Sequence, residues 1–213
     1  MKNILILITI IISQIANSQI DETSELIIES DSEMAIFYYN EGVDKIESED
    51  YRGALLDFDE SIKFNANDAD SYSSRAYVKD LLEDFTGAIE DYTIAIILNP
   101  NENINYNNRA MLKSYFEAYE GALQDLNKAI NLSPKNADYY NNRGVVKQDM
   151  GNISGAIEDY TKSIELDPTD GIAYYNRSFC KQKLQDLDGA CKDALKSNEH
   201  GYDAQELIDD VCN

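Results

Sequence analysis

An all-α solenoid of helix pairs is predicted by one spacing and by the columns that share it. Tyr38, Tyr72, Tyr106, Tyr140 and Tyr174 stand 34 residues apart, the period of a helix–turn–helix unit that cannot bury its apolar face alone and must stack on copies of itself. Ala54, Ala88, Ala122, Ala156 and Ala190 recur in the same step, each preceded by a glycine (Gly53, Gly87, Gly121, Gly155, Gly189). A third column is always small (Gly42, Ala76, Ala110, Gly144, Ser178), and a fourth holds Ser61, Ala95, Ala129, Ser163 and Ser197. The columns define five units, 35–68, 69–102, 103–136, 137–170 and 171–202.

Taken in chain order, residues 1–18 read as a secretory signal peptide: Lys2 precedes an apolar run from Ile4 to Ile12, and Ala16-Asn17-Ser18 supplies small residues before Gln19. The run falls short of the roughly 20 residues that span a bilayer, so no direct membrane insertion is expected after cleavage. Residues 19–34 are polar and acidic and are expected to form a flexible leader, with Ser30 and Glu33 placed to start the first helix as a capping box. In each unit a first helix carries the tyrosine and, four residues on, the small residue. Asp50, Asp84, Asn152 and Asp186 are placed to cap the second helices, whereas the third unit has Ala118 there. In the first unit Ala54, Leu55, Phe58, Ser61 and Ile62 form the apolar stripe of the second helix. Asn99-Pro100, Ser133-Pro134 and Asp167-Pro168 end three of these helices, because the residue before proline is pushed out of helical geometry. Small residues at a helix crossing permit close approach, and filling such a site costs about 1–3 kcal/mol. Residues 203–213 carry Ala204, Leu207, Ile208 and Val211 on one face and are expected to form a helix that caps the last unit.

These columns resemble those of the tetratricopeptide repeat (TPR) family. The aromatic, the small residue four positions on, the alanine after the turn, the Phe58/Tyr92/Leu126/Tyr160 column and the proline all match its signature. Arginine or glutamate stands where the family usually has leucine, and Lys45, Lys79, Lys113, Lys147 and Lys181 where it usually has tyrosine. The resemblance implies a right-handed superhelix whose first helices line a concave groove that holds an extended peptide or a partner's helix. The groove positions it implies are Tyr39, Asn40 and Val43; Ser73, Ser74 and Tyr77; Asn107, Asn108 and Met111; Asn141, Asn142 and Val145; Tyr175, Asn176 and Phe179. A row of asparagines can both donate to and accept from a peptide backbone; the competing reading is that the amides cap turns or bond across neighbouring helices. The two-carboxylate clamp of chaperone-binding TPR domains also needs lysine and arginine at set places, and here only the asparagines fit.

Arg75, Arg109, Arg143 and Arg177 each follow by eighteen residues an aspartate, Asp57, Asp91, Asp125 and Asp159, while Glu41 in the first unit has no preceding unit to supply one. This asymmetry predicts an Asp–Arg ladder between successive units that sets their register, each exposed pair contributing about 0–1 kcal/mol. The three cysteines lie near the C-terminal end. Cys191 with Cys212 is the favoured bridge if the last helix folds back at His200-Gly201; Cys180 with Cys191, or no bridge, are the alternatives.

With 40 acidic against 18 basic residues and a formal net charge of −22, the chain is not expected to bind nucleic acid or anionic membranes. Its single histidine, His200, has no serine or cysteine set to partner it, and no phosphate-binding loop or metal-ligand cluster is present. The expectation is a non-enzymatic, cofactor-free scaffold or adaptor, periplasmic or secreted, that binds a protein or peptide segment in its groove. The alternative is a self-associating, homo-oligomeric or complex-assembly subunit of the cell envelope with the groove unused. A third reading places a small ligand or glycan on Tyr39, Tyr77 and Tyr175.

Overall fold

The computed structural model describes residues 30–212; the signal peptide and residues 19–29 of the leader lie outside the described residues. The described residues form helices joined by short turns. They fall in two compact units, 30–84 and 85–212, divided between the two helices of the second repeat. The first unit holds α1 (30–47), α2 (Tyr51–Phe64) and α3 (Ala69–Leu81). The second holds α4 (Phe85–Leu98), α5 (Asn103–Tyr115), α6 (Tyr119–Leu132), α7 (Ala137–Asp149), α8 (Ile153–Leu166), α9 (Gly171–Lys183), α10 (Leu187–Glu199) and α11 (Gln205–Val211). One correction falls at the start: residues 30–34 are already helical, so that part of the leader extends α1 and Ser30 lies inside the helix instead of capping it.

The turn between first and second helices repeats with the sequence. Asp50, Asn152 and Asp186 accept the backbone N–H of Gly53, Gly155 and Gly189 at 3.0, 3.1 and 3.0 Å, and Ala118 makes no such bond. The glycine column has its cause here. A Cβ at Gly53 or Gly189 would stand 2.2 Å from the capping carboxylate, whereas at Gly121, behind the uncapped Ala118, the nearest atom is Lys113 Cδ at 3.4 Å. Just before each cap the chain turns through a left-handed residue: Glu49, Glu117 and Gln185 at φ of 61°, 58° and 63°, and Gly151 at 79°. This lets the N–H of Asp50, Ala118, Asn152 and Asp186 reach back to the carbonyls of Lys45, Lys113, Lys147 and Lys181. First helices are capped too, by Asp68, Asn136 and Asp170.

Residue sizes are matched across the hairpins of the first, third and fourth repeats. A Cβ at Gly42 would lie 2.8 Å from the Phe58 ring and one at Gly144 2.6 Å from the Tyr160 ring. Where the facing residue is the smaller Leu126, the column carries Ala110, and the two share one buried cluster. Two serines of the fourth column tie the far end of their hairpins: Ser61 Oγ donates to the Ala35 carbonyl and Ser197 Oγ to that of Gly171, both at 2.8 Å.

Helix α11 closes the second unit. Leu207 and Val211 are buried against Ala190 and Ala194, with Tyr175 and Phe179 of α9 packed on the same cluster. Cys191 and Cys212 are joined, their Cα atoms 5.0 Å apart. Cys180, the alternative partner for Cys191, is a buried free thiol that donates to Gln148 Oε1 at 3.1 Å.

Candidate functional site

A polar spine runs through the helix pairs, and it is not the ladder read from the sequence. Arg109, Arg143 and Arg177 do not turn to Asp91, Asp125 and Asp159 eighteen residues before them. Each grips the aspartate sixteen residues after it, in the second helix of its own repeat: Arg109 with Asp125, Arg143 with Asp159, Arg177 with Asp193. Both carboxylate oxygens are engaged, Nε and Nη2 of Arg143 lying 2.8 and 2.6 Å from Asp159 Oδ2 and Oδ1. The lysine column joins the same carboxylates, Lys113, Lys147 and Lys181 each at 2.7 Å, because a residue four positions on stands one turn above the arginine. The tyrosine three positions before each arginine packs on its guanidinium, 5.5 Å from Tyr140 for Arg143 and 5.6 Å from Tyr174 for Arg177.

The remaining nitrogen makes the contact between repeats. Nη1 of Arg109, Arg143 and Arg177 donates to Thr93, Asn127 and Thr161 in the preceding second helix, at 3.0, 2.7 and 3.1 Å. In the first unit Arg75 likewise meets Asp59 at 2.7 Å, not Asp57, and Asp57 is held by Lys45 at 2.5 Å. Glu41, in the arginine column, therefore leaves Asp57 with a lysine where later repeats supply arginine and lysine together. Asp59, Thr93, Asn127 and Thr161 all carry a side-chain oxygen at a 34-residue spacing, a signal that would have located the register contact. The aspartates are also more enclosed than a surface ladder requires: 5% of the Asp159 side chain is exposed. Burial and the bidentate bond act oppositely on Arg143, and the bond to Asp159 dominates, raising its pKa.

The expected groove residues separate into two groups. In the second unit the asparagines bond across neighbouring first helices: Asn142 Nδ2 donates to Asn107 Oδ1 at 2.8 Å, and Asn176 Nδ2 to Asn141 Oδ1 at 3.1 Å. Asn107 is buried and donates to Asn108, which donates to the Tyr92 hydroxyl. A further tie, from the Tyr139 hydroxyl to Asn103 Oδ1, joins α7 to α5. Asn108, Asn141, Asn142, Asn176 and Met111 are half-buried. The apolar members lean inward: Val145 packs beside the Tyr160–Cys180 cluster, and Tyr175 and Phe179 lie against α11, with the Tyr175 ring 5.0 Å from that of Tyr202. In the first unit Tyr39 packs on Phe58, Val43 on the same cluster, and Asn40 and Tyr77 are exposed, with Ser73 and Ser74 half-buried.

Chemically the surface offers amides, aromatic edges and thioether. Burial pushes the Cys180 thiol up to about 11 and raises the Tyr160 phenol well above its ordinary value. Among the described residues no three His, Cys, Asp or Glu side chains are grouped to hold a metal ion, and no helix is long and apolar enough to cross a membrane.

Three family models match the chain in its third to fifth repeats: a TPR repeat at residues 117–151 and tetratricopeptide repeats at 137–170 and 159–192. No curated protein sequence matches it. Among solved structures it is similar to MamA from Desulfovibrio magneticus RS-1, at 20% identity and a TM-score of 0.74 over 78% of this chain and 94% of that one. PilF of Pseudomonas aeruginosa aligns at 19% identity and 0.73, covering 82% and 79%. YrrB, a TPR protein with an unusual peptide-binding site, aligns at 19% and 0.72, covering 87% and 95%. At these identities the likeness establishes the fold, that of TPR helix pairs.

Proposed function

We propose that this chain is a non-enzymatic scaffold that binds an extended segment or helix of another protein along the first helices α5, α7 and α9, and that it is exported to the periplasm or beyond. The observation that carries the reading is the amide row. Each asparagine side chain has two donor and two acceptor sites, and the bonds between helices use one site of Asn142, Asn141 and Asn176 while fixing their orientation. Such pre-set amides meet a peptide backbone with little further ordering. Peptide binding by YrrB is in keeping with this use of the fold, and a joined Cys191–Cys212 pair is in keeping with an oxidising compartment.

The test is crosslinking in the native compartment with the wild type and with Asn108→Ala, Asn142→Ala and Asn176→Ala, thermal melts confirming that each variant is folded. Crosslinked partners fall away in the variants if the row is the binding surface; partners recovered undiminished from folded variants would remove it. The second reading, self-association, is favoured by Ile36 and Phe37, which stand exposed on α1. Sedimentation of the wild type and of Ile36→Ser/Phe37→Ser decides it: a concentration-dependent oligomer abolished by the substitutions selects assembly over the amide row.

A further inference from the structure

The second unit carries an exposed aromatic edge that neither the repeat packing nor the amide row uses. It lies where α5 turns into α6. Tyr115 and Phe116, at the end of α5, are 68% and 51% exposed. Their rings meet each other at 5.3 Å between centroids and meet Phe85 at 5.0 and 6.3 Å. One repeat on, Met150 takes the column position of Phe116 and is 41% exposed. Three large apolar side chains left in water beside a half-buried fourth are more than the scattered exposure a surface tolerates. The exposed charges of the two turns are acidic, and Lys113, the cation of the last turn of α5, is held by Asp125. Glu117 is the exposed turn residue itself, Glu120 is exposed in the first turn of α6, and the charges of Glu117 and Asp149 both act on Tyr119, which lies between the two turns.

We infer that this edge is a docking site for a basic amphipathic segment of another protein, its apolar face on Tyr115, Phe116 and Met150 and its lysines or arginines on Glu117, Glu120 and Asp149. Charge selects this occupant over a second copy of the chain. With a net charge of −22 two copies repel, and closing this edge on its own image would bring like carboxylates together, whereas a cationic segment relieves the same field. The site is separate from the amide row, so a partner could be held there while the row is filled.

The probe is a fluorescein-labelled helical peptide of about 18 residues, five turns, with leucine on one face and lysine on the other. Its binding to the full oxidised chain is followed by anisotropy. Tyr115→Ser/Phe116→Ser leaves the charge untouched and should weaken binding by about tenfold or more, as expected when central aromatic anchors are lost. Glu117→Gln/Glu120→Gln/Asp149→Asn should weaken it and flatten its dependence on ionic strength. Asn142→Ala should bind as the wild type does, which separates this surface from the amide row. A peptide with glutamate in place of lysine should not bind. Undiminished binding by the folded serine variant, or equal binding of the acidic peptide, overturns the inference. So does a wild-type dimer that the serine variant dissolves, since the occupant is then a second copy.

Discussion

Asp159 is the sharpest place to test the polar spine. Its carboxylate is 5% exposed and holds two cations, Arg143 through Nη2 at 2.6 Å and Lys147 at 2.7 Å, whose side chains are 19% and 20% exposed. Asp159→Asn keeps the shape and removes the charge, leaving a guanidinium and an ammonium facing one amide. Breaking a buried pair from one side costs about 3–5 kcal/mol, and the partial exposure of the cations trims this to about 2–4 kcal/mol. The comparison is Asp57→Asn, which strands only Lys45, itself 35% exposed, and should cost clearly less. Both are read as shifts in urea midpoint on the full chain by far-ultraviolet circular dichroism. A cycle with Arg143→Ala adds a second reading: the double variant should lose less than the sum of the singles, because it removes one of the stranded cations along with the carboxylate. Equal losses at Asp57 and Asp159, or strict additivity in the cycle, would refute the claim that the spine is a coupled, buried network.

Three further outcomes follow from the geometry. Gly144→Ala should destabilise by about 1–3 kcal/mol by pressing on the Tyr160 ring, while Gly121→Ala, with no cap to displace, should stabilise by about 0.5–1 kcal/mol; thermal melts giving the two the same sign would contradict the packing account. Glu117→Gly should raise stability by about 1 kcal/mol, since a left-handed φ of 58° is unfavourable for any residue with a Cβ, and an unchanged urea midpoint would count against it. Cys180 should resist iodoacetamide in the folded, oxidised chain near pH 8, where a thiol of pKa about 11 is only about 0.1% thiolate. Because burial raises that pKa above its unfolded value, the contribution to stability is full below about pH 9 and fades towards pH 11. Mass spectrometry showing rapid labelling of Cys180 at pH 8 would disprove it.

How far the sequence could be read depended on whether a column reports size or geometry. Gly144 opposite Tyr160 and Ala110 opposite Leu126 are size statements, and size survives translation into one dimension: the hairpins follow from it. Asp50, Asn152 and Asp186 announce their helices because a cap acts over three residues. The arginine partner did not follow, because Asp125 and Asp91 lie at similar separations from Arg109, sixteen and eighteen residues, and a periodic sequence offers both equally. What chooses between them is the antiparallel packing of a hairpin, which sets Arg109 and Asp125 at one height. The absence at Glu41 pointed the wrong way: it marks a weakened pair within the first repeat, not a missing neighbour. The turn residue was hidden for a different reason. Glycine would have marked the left-handed position, but it appears only at Gly151, and glutamate or glutamine stands elsewhere.

The C-terminal cap shows the period continuing past its own signature. Carried one step further, the tyrosine column lands on Ile208 and the small column on Cys212, so α11 stands where the first helix of a sixth unit would. Cys191 likewise occupies the column of Leu55, Ile89, Leu123 and Ile157, the residues through which second helices make apolar contact. The Cys191–Cys212 bond therefore places a covalent link where the other second helices make an apolar contact. A helix of seven residues is too short to persist unaided in water. In the loop-entropy account a crosslink spanning 21 residues contributes about 3 kcal/mol, so the bond is large enough to hold α11 over Tyr175 and Phe179. In the fifth repeat α11 therefore covers Tyr175 and Phe179, two of the positions expected to line a groove, and leaves the amides of α5 and α7 outside that packed cluster.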